Sequence, residues 1–291
     1  MNSIERYLAP TALVQALAAL GGAGGAVILA GGTDLMPQEN AGKVSDARTL
    51  LNIKRVEGLD GIAVDGGALV LGPLVTIAQL QRHPLVKQHA AMLADSADHF
   101  ASQQIRNSAT LGGNICNASP AGDTLPVLLA LDAELELASL TRDGAIARRR
   151  VVIDGFFTGP GRTRRGANEL LTAVRLPLPP TGQVSTFYKA GTRPALDIST
   201  IAIAFAATRD GAGRLQAVRL ALGAVAPTPI RARQAEALLE GQVITAALAE
   251  QAAQAAAAEA TPIDDVRASA WYRRELLHNL TRRILSDVVQ H

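Results

Sequence analysis

Ser108-Ala109-Thr110-Leu111-Gly112-Gly113-Asn114-Ile115-Cys116-Asn117-Ala118-Ser119-Pro120-Ala121-Gly122-Asp123 is the stretch from which the rest of the chain can be read. Gly112 and Gly113 let a backbone approach a ligand closely with its N–H groups exposed. Thr110, Asn114 and Ser119 can donate hydrogen bonds. An ionised Asp123 only accepts, which suits a ribose hydroxyl. This small, polar run stands just before the apolar segment Leu125 to Leu131. A second Gly-Gly stretch, Ala30-Gly31-Gly32-Thr33-Asp34-Leu35, lies well upstream. Two such cradles imply one long ligand carrying a pyrophosphate.

With 291 residues, 48% of them apolar, the chain can bury a large core in one to three domains. Only 3% are aromatic, so Ala, Leu and Val must fill that core. The net charge of +2 is too balanced to argue for nucleic acid. No apolar run is long enough to span a membrane, and the first residues lack the pattern of a signal peptide. A cytoplasmic location is expected. Cys116 is the single cysteine, so the chain forms no intrachain disulfide and carries no iron–sulfur cluster of its own. The five histidines are scattered without ligand spacing, and no metal site is expected. Redox chemistry in this chain must use an organic cofactor or a partner's metal. Arg148, Arg149, Arg150, Arg162, Arg164 and Arg165 form a local basic cluster, read as a solvated loop face or a docking patch.

Upstream, Thr11 to Leu20 has helical spacing, with Pro10 and Thr11 to open the helix and Gly21-Gly22 to close it. The cluster Gly21 to Gly25 is no dinucleotide fingerprint. Its third glycine would fall on Val27, and it precedes the strand Ala26 to Ala30. That strand runs into Gly31-Gly32-Thr33-Asp34, which by itself fits a phosphate-presenting turn and a plain tight turn equally. Thr49 to Ile53 reads as a strand. Residues 61–64 and 68–71 read as a hairpin turning at Asp65-Gly66-Gly67, and Thr76 as a helix cap. Residues 85–100 read as helical. Strands are expected at Glu134 to Leu137, Val151 to Ile153 and Glu169 to Leu176, with a turn at Asp143-Gly144. Pro177, Pro179, Pro180 and Gly182 mark a domain boundary. Beyond it, Ile201 to Ala207 and Leu215 to Val225 form an antiparallel pair. Helices are expected at Ile230 to Leu239, Ala246 to Ala260 and Trp271 to Val289.

Both glycine motifs, with Gln104-Ile105-Arg106-Asn107 leading into the second, resemble the FAD-binding motifs of molybdenum hydroxylase flavoprotein subunits. That family includes the FAD subunit of xanthine dehydrogenases and the medium subunit of carbon monoxide dehydrogenases. Tyr188-Lys189 with Arg193 and Asp197 is similar to the entry of its C-terminal domain. Ala226-Pro227-Thr228-Pro229-Ile230-Arg231 is similar to the bacterial xanthine dehydrogenase subunits. The resemblance covers essentially the whole chain.

It implies an α+β fold. Residues 1–178 would form a vanillyl-alcohol-oxidase-type (PCMH-type) FAD domain of two α/β subdomains. Residues 183–291 would form a C-terminal domain with a small antiparallel sheet and helices. By the resemblance, Ile28, Leu29, Ala30, Gly31, Gly32, Thr33, Asp34 and Leu35 would hold the pyrophosphate, and Phe100 would lie near the flavin or adenine. Thr110, Gly113 and Asn114 would bind phosphate or flavin and Asp123 the ribose side, with Leu171 and Lys189 completing the pocket. Arg193 and Asp197 could form a structural ion pair or act near the flavin. Cys116 is read as a buried small residue and not as a covalent flavin link. No catalytic residue is assigned. The implied partners are a molybdenum-cofactor large subunit and a [2Fe-2S] small subunit in a heterotrimer, with NAD, oxygen or a quinone as acceptor. The leaning is to xanthine or another N-heterocycle. A carbon monoxide dehydrogenase medium subunit, a stand-alone FAD oxidase and a scaffold that has lost FAD stay open.

Overall fold

The computed structural model describes residues 4–22, 26–42, 49–193 and 196–290. The chain opens with β1 (Arg6–Leu8), α1 (Leu13–Gly21), β2 (Val27–Leu29), α2 (Leu35–Asn40) and β3 (Thr49–Asn52). These strands form a small parallel sheet in the order β1-β3-β2. Helix α1 buries Ala16, Leu17 and Leu20, which share a core with Leu51, Ile53 and Leu59. Helix α1 starts one residue later than Thr11 would place it, at an Ala12 cap that makes no side-chain capping bond. Ala23, Gly24 and Gly25 of the glycine cluster lie outside the described residues.

The hairpin of β4 (Ile62–Asp65) and β5 (Ala68–Leu71) follows. Gly66 and Gly67 turn it with φ of 56° and 75°, the left-handed pair that two-residue hairpins require. Helix α3 (Ile77–Arg82) is capped by Thr76, whose hydroxyl accepts from the Gln79 amide at 3.2 Å. The helical stretch expected over 85–100 is made of two helices, α4 (Pro84–His89) and α5 (Ala91–Asp98). Ala90 breaks it with φ −146° and ψ 52°, and its buried position lets α5 turn down onto the core. Next come α6 (Gln103–Arg106), α7 (Leu111–Asn117) and α8 (Thr124–Ala130).

The chain then lays down β6 (Glu134–Leu140), β7 (Ile146–Val152), β8 (Phe157–Gly159), β9 (Arg162–Thr163) and β10 (Leu170–Pro177). Strands β4-β5-β10-β6-β7 make a five-stranded antiparallel sheet with β7 at its edge. Arg148, Arg149 and Arg150 therefore lie in a strand, not a loop. Arg148 pairs with Glu136 and Arg149 with Glu169.

The last part holds β11 (Gln183–Ala190), β12 (Ile201–Arg209), β13 (Leu215–Gly223), β14 (Ile230–Arg231), α9 (Arg233–Leu239), α10 (Ala246–Glu259) and α11 (Ala270–Gln290). The helix expected from Ile230 begins at Arg233. Ile230 and Arg231 instead pair with β13, and Arg231 reaches both Glu236 and Asp132, which fixes it at the sheet edge. The four-stranded sheet β11-β12-β13-β14 is antiparallel.

Alternation along β12 decides how this sheet is sandwiched. Ile201, Ile203 and Phe205 pack toward α9, α10 and α11. Ala202, Ala204 and Ala206 join the central core with Leu125, Val127 and Leu128 of α8. Small side chains there let α8 lie close: a Cβ on Gly223 would come within 3.3 Å of Pro126 Cγ. Overfilling that face should therefore be costly. Ala204→Leu is expected to lose about 1–3 kcal/mol, read as a lower midpoint in urea unfolding.

Candidate cofactor site

The two glycine motifs meet. Ser108 Oγ donates to Gly31 O at 2.8 Å, and a Cβ on Gly31 would stand 2.4 Å from Ser108 O and 2.9 Å from Ala109 Cα. Only glycine permits that approach. Between the motifs opens a cavity of about 640 Å³, in the range of small-molecule sites.

The first motif leaves β2 through Gly32, whose φ of 76° turns the chain into α2. Among the described residues, nothing in the chain accepts from the amides of Gly31, Gly32, Thr33 or Asp34. All four residues line the cavity. Consecutive unpaired amides on a turn make an anion-binding concavity. Asp34 accepts from Gln38 Nε2 at 2.5 Å, and Gln38 lines the same wall.

The second motif is built differently. The amides of Leu111 and Gly112 donate to Val75 O and Pro73 O at 2.9 and 2.8 Å. Those of Gly113 and Asn114 turn back to the Thr110 hydroxyl and carbonyl at 3.1 and 2.9 Å. Gly112 is a packing glycine, since a Cβ there would stand 2.5 Å from Pro73 Cβ. What this motif offers a ligand is side chains. Asn114 Oδ1 accepts from Thr124 Oγ1 at 2.7 Å, which leaves its NH₂ group as the donor.

Asp123 closes one end. It is buried, accepting from Lys189 Nζ at 2.7 Å and from Ser199 Oγ at 2.5 Å. Burial pushes its carboxyl above the ordinary value, against the opposing pull of Lys189 and Ser199. Lys189 also donates to His99 O at 3.0 Å. The pair joins the connector between α7 and α8 to strand β11.

Of the residues expected from sequence, Ile28, Ala30, Gly31, Gly32, Thr33, Asp34, Leu35, Phe100, Thr110, Gly113, Asn114, Asp123 and Leu171 line the one cavity. Leu29 does not; its carbonyl accepts from the Ile53 amide at 3.0 Å. Lys189 stands behind Asp123, outside the lining. Arg193 and Asp197 form no ion pair among the described residues. The Arg193 guanidinium donates to Leu196 O, while Asp197 gathers the amides of Thr192, Arg193 and Ile198.

Cys116, Asn117, Ser119, Arg165, Asp197 and Ile198 also face the cavity. Burial pushes the Cys116 thiol up, although the nearby Arg165 charge acts the other way. A thiol kept protonated is a poor nucleophile. Cys116, expected to be buried, is half-buried in the cavity wall.

A pyrophosphate-bearing, ring-containing cofactor fits this site. Four unpaired amides supply the anion cradle, and Ile28, Phe100, Leu170, Leu171 and Ile198 supply an apolar wall. Residues 2–179 match the family model described as the FAD binding domain in molybdopterin dehydrogenase. Residues 186–288 match that of the CO dehydrogenase flavoprotein C-terminal domain. The xanthine dehydrogenase FAD-binding subunit of Escherichia coli O157:H7 is 34% identical over 266 residues, covering 91% of this chain and 89% of its own. The carbon monoxide dehydrogenase structure from Hydrogenophaga pseudoflava superimposes with a TM-score of 0.89 at 32% identity, over 96% of this chain and 94% of that one. Quinoline 2-oxidoreductase from Pseudomonas putida 86 gives 0.89 at 29% identity, over 98% and 96%. The fold is thus the two-domain PCMH-type α+β architecture, and the chain belongs to the FAD-binding medium subunits of the molybdenum hydroxylase flavoprotein family.

Proposed function

We propose that this chain takes electrons from a [2Fe-2S] partner and passes them to an external acceptor, either NAD, oxygen or a quinone, within a heterotrimer whose large subunit holds the molybdenum cofactor. The observation that carries this reading is that residues 31–34, whose amides have no acceptor among the described residues, line one cavity together with the side chains of the second motif. FAD, when bound there, supplies the redox chemistry, and the protein binds and orients it. Gly31, Gly32, Thr33 and Asp34 are the proposed phosphate holders, with Ile28, Ala30 and Leu35 beside them. Phe100 and Leu171 are proposed to contact the rings, and the Thr110 and Asn114 side chains the ribityl or phosphate atoms, with Gly113 allowing their close approach to the backbone. Asp123, braced by Lys189, is proposed for a ribose hydroxyl. Residues 1–178 and 183–291 are the proposed domains, and the cytoplasm the proposed location.

The substrate is chosen by the molybdenum partner. For that partner, a carbon monoxide dehydrogenase reading has better support than the xanthine one. The matched C-terminal family model carries that enzyme's name, and its solved structure superimposes over nearly the whole chain. A stand-alone FAD oxidase would require this chain to bind a reducing substrate itself.

The purified chain should take up FAD to one equivalent and show no iron–sulfur absorbance. Loaded with FAD and reduced by a small [2Fe-2S] protein, it should be reoxidised by one of the three acceptors. It should not turn over alcohols or amines. Steady turnover of such a substrate by the lone chain would replace the subunit reading with the oxidase one.

A further inference from the structure

The cavity contains a cation that the glycine motifs do not account for. Arg165 lies in the loop between β9 and β10, and it lines the same cavity as the first motif's cradle residues, near Cys116. The β8–β9 turn just before it is tied to the end of α7 by the Gly161 amide, which donates to Ala118 O at 3.1 Å.

The guanidinium is fixed from one side only. Its Nη1 donates to Gly166 O at 2.9 Å and to Glu169 O at 2.6 Å, which uses both of that nitrogen's hydrogens. Nε and Nη2 have no acceptor among the described residues. The neighbouring Glu169 carboxylate is already taken. Arg149 grips its two oxygens at 2.5 and 2.7 Å, and the Gly166 amide donates to it at 2.6 Å. Among the described residues no carboxylate lies within ion-pair distance of Arg165. Of the three acidic residues lining the cavity, Asp123 pairs with Lys189, Asp34 accepts from Gln38, and Asp197 gathers the amides of Thr192, Arg193 and Ile198.

A half-buried arginine held rigid, with free donors and its nearest carboxylate, Glu169, already gripped by Arg149, is a pre-organised anion site. Such a charge is costly without a partner. We propose that Arg165 binds an anionic group of the bound FAD, a role that rests on the cofactor reading above. Two parts of FAD offer that chemistry. The pyrophosphate is anionic in both redox states, and the ring's pyrimidine edge gains charge on reduction.

Titration of the apo chain with FAD and with ADP, plus the two-electron midpoint potential of the bound flavin, separates the two. If the pyrophosphate is the target, Arg165→Met weakens FAD and ADP alike by at least tenfold. If the ring is the target, ADP and oxidised FAD bind as before, and the potential falls by about 30 mV for each tenfold loss of affinity for reduced FAD. The proposal is overturned if both affinities and the oxidised-to-reduced binding ratio stay within twofold of the parent. A parent chain that itself takes up no FAD or ADP would overturn the cofactor reading and this one together.

Because Arg165 also holds two carbonyls, a footprint on the unaltered chain stands beside the variant. Butanedione modification at Arg165, mapped by peptide mass, should slow several-fold when FAD is bound. Equal modification with and without FAD rejects the assignment even if Arg165→Met fails to fold.

Discussion

Gly31→Ala should abolish FAD uptake and lower the stability of the chain by about 3 kcal/mol, the upper end of the range for overpacking. The added methyl would stand 2.4 Å from Ser108 O and 2.9 Å from Ala109 Cα. Neither is the yielding end of a side chain. Both belong to a backbone that is itself fixed, because the Ala109 carbonyl accepts from Ile77 and the Leu111 amide donates to Val75 O. Relief can come only by separating the two motifs, which breaks the 2.8 Å bond from Ser108 Oγ to Gly31 O. The amide cradle on one wall then no longer faces Asn114 and Asp123 on the other. Stability and cofactor uptake should fall together, read by urea unfolding and by FAD titration. Gly61→Ala is the matched control, since nothing lies within 4 Å of its added Cβ. It should change neither measurement appreciably. Normal FAD binding by Gly31→Ala would show that the contact between the motifs does not shape the site.

This contact also shows what the sequence could and could not disclose. Two Gly-Gly motifs with polar neighbours are legible as parts of one long-ligand site, because glycine and short polar side chains suit close backbone approach wherever they fall. The division of labour between them is not legible. Both look like phosphate loops, yet the amides of residues 111–114 are consumed inside the protein and those of 31–34 find no acceptor among the described residues. Thr110 takes two of those amides locally, but Leu111 and Gly112 are held by residues 73–75, which arrive from a distant part of the chain. Arg165 was hidden for the same reason. In sequence it is one of six arginines in a basic cluster. Only the pairing of β7 with β6 and the tether from Gly161 to Ala118 part it from Arg148 and Arg149, which find carboxylates. The hairpin at Gly66-Gly67 and the Thr76 cap were readable because their causes are local. The break at Ala90 and the strand at Ile230 were not, since tertiary packing overrides helix propensity there.

Asp123 and Lys189 were both legible as site residues, but not as each other's partners, and the strongest pH-dependent effect follows from that pairing. Lys189→Met should cost about 3–5 kcal/mol at neutral pH. It leaves a carboxylate that is 6% exposed with Ser199 and, more weakly, His99 to compensate. Burial already holds the Asp123 carboxyl above its ordinary value, and Lys189 provides the largest opposing pull. Removing the lysine must move that carboxyl further up. A carboxyl raised in the folded state keeps its proton to higher pH than in the unfolded chain. The folded chain is therefore unpenalised below the unfolded value, and it loses stability as the pH rises from there through the folded value. The deficit of Lys189→Met against the parent should accordingly be larger at pH 8 and shrink on acidification toward pH 5. Asp123→Asn in the same chain removes the stranded charge, so the double variant should recover most of the loss and show no such pH dependence. Urea unfolding of the four chains at the two pH values gives the coupling. FAD titration of the same set shows whether the pair also holds the cofactor wall in place. A Lys189→Met deficit that is independent of pH and not relieved by Asp123→Asn would mean that the lysine acts through its packing, or through its bond to His99 O, and not through the buried charge.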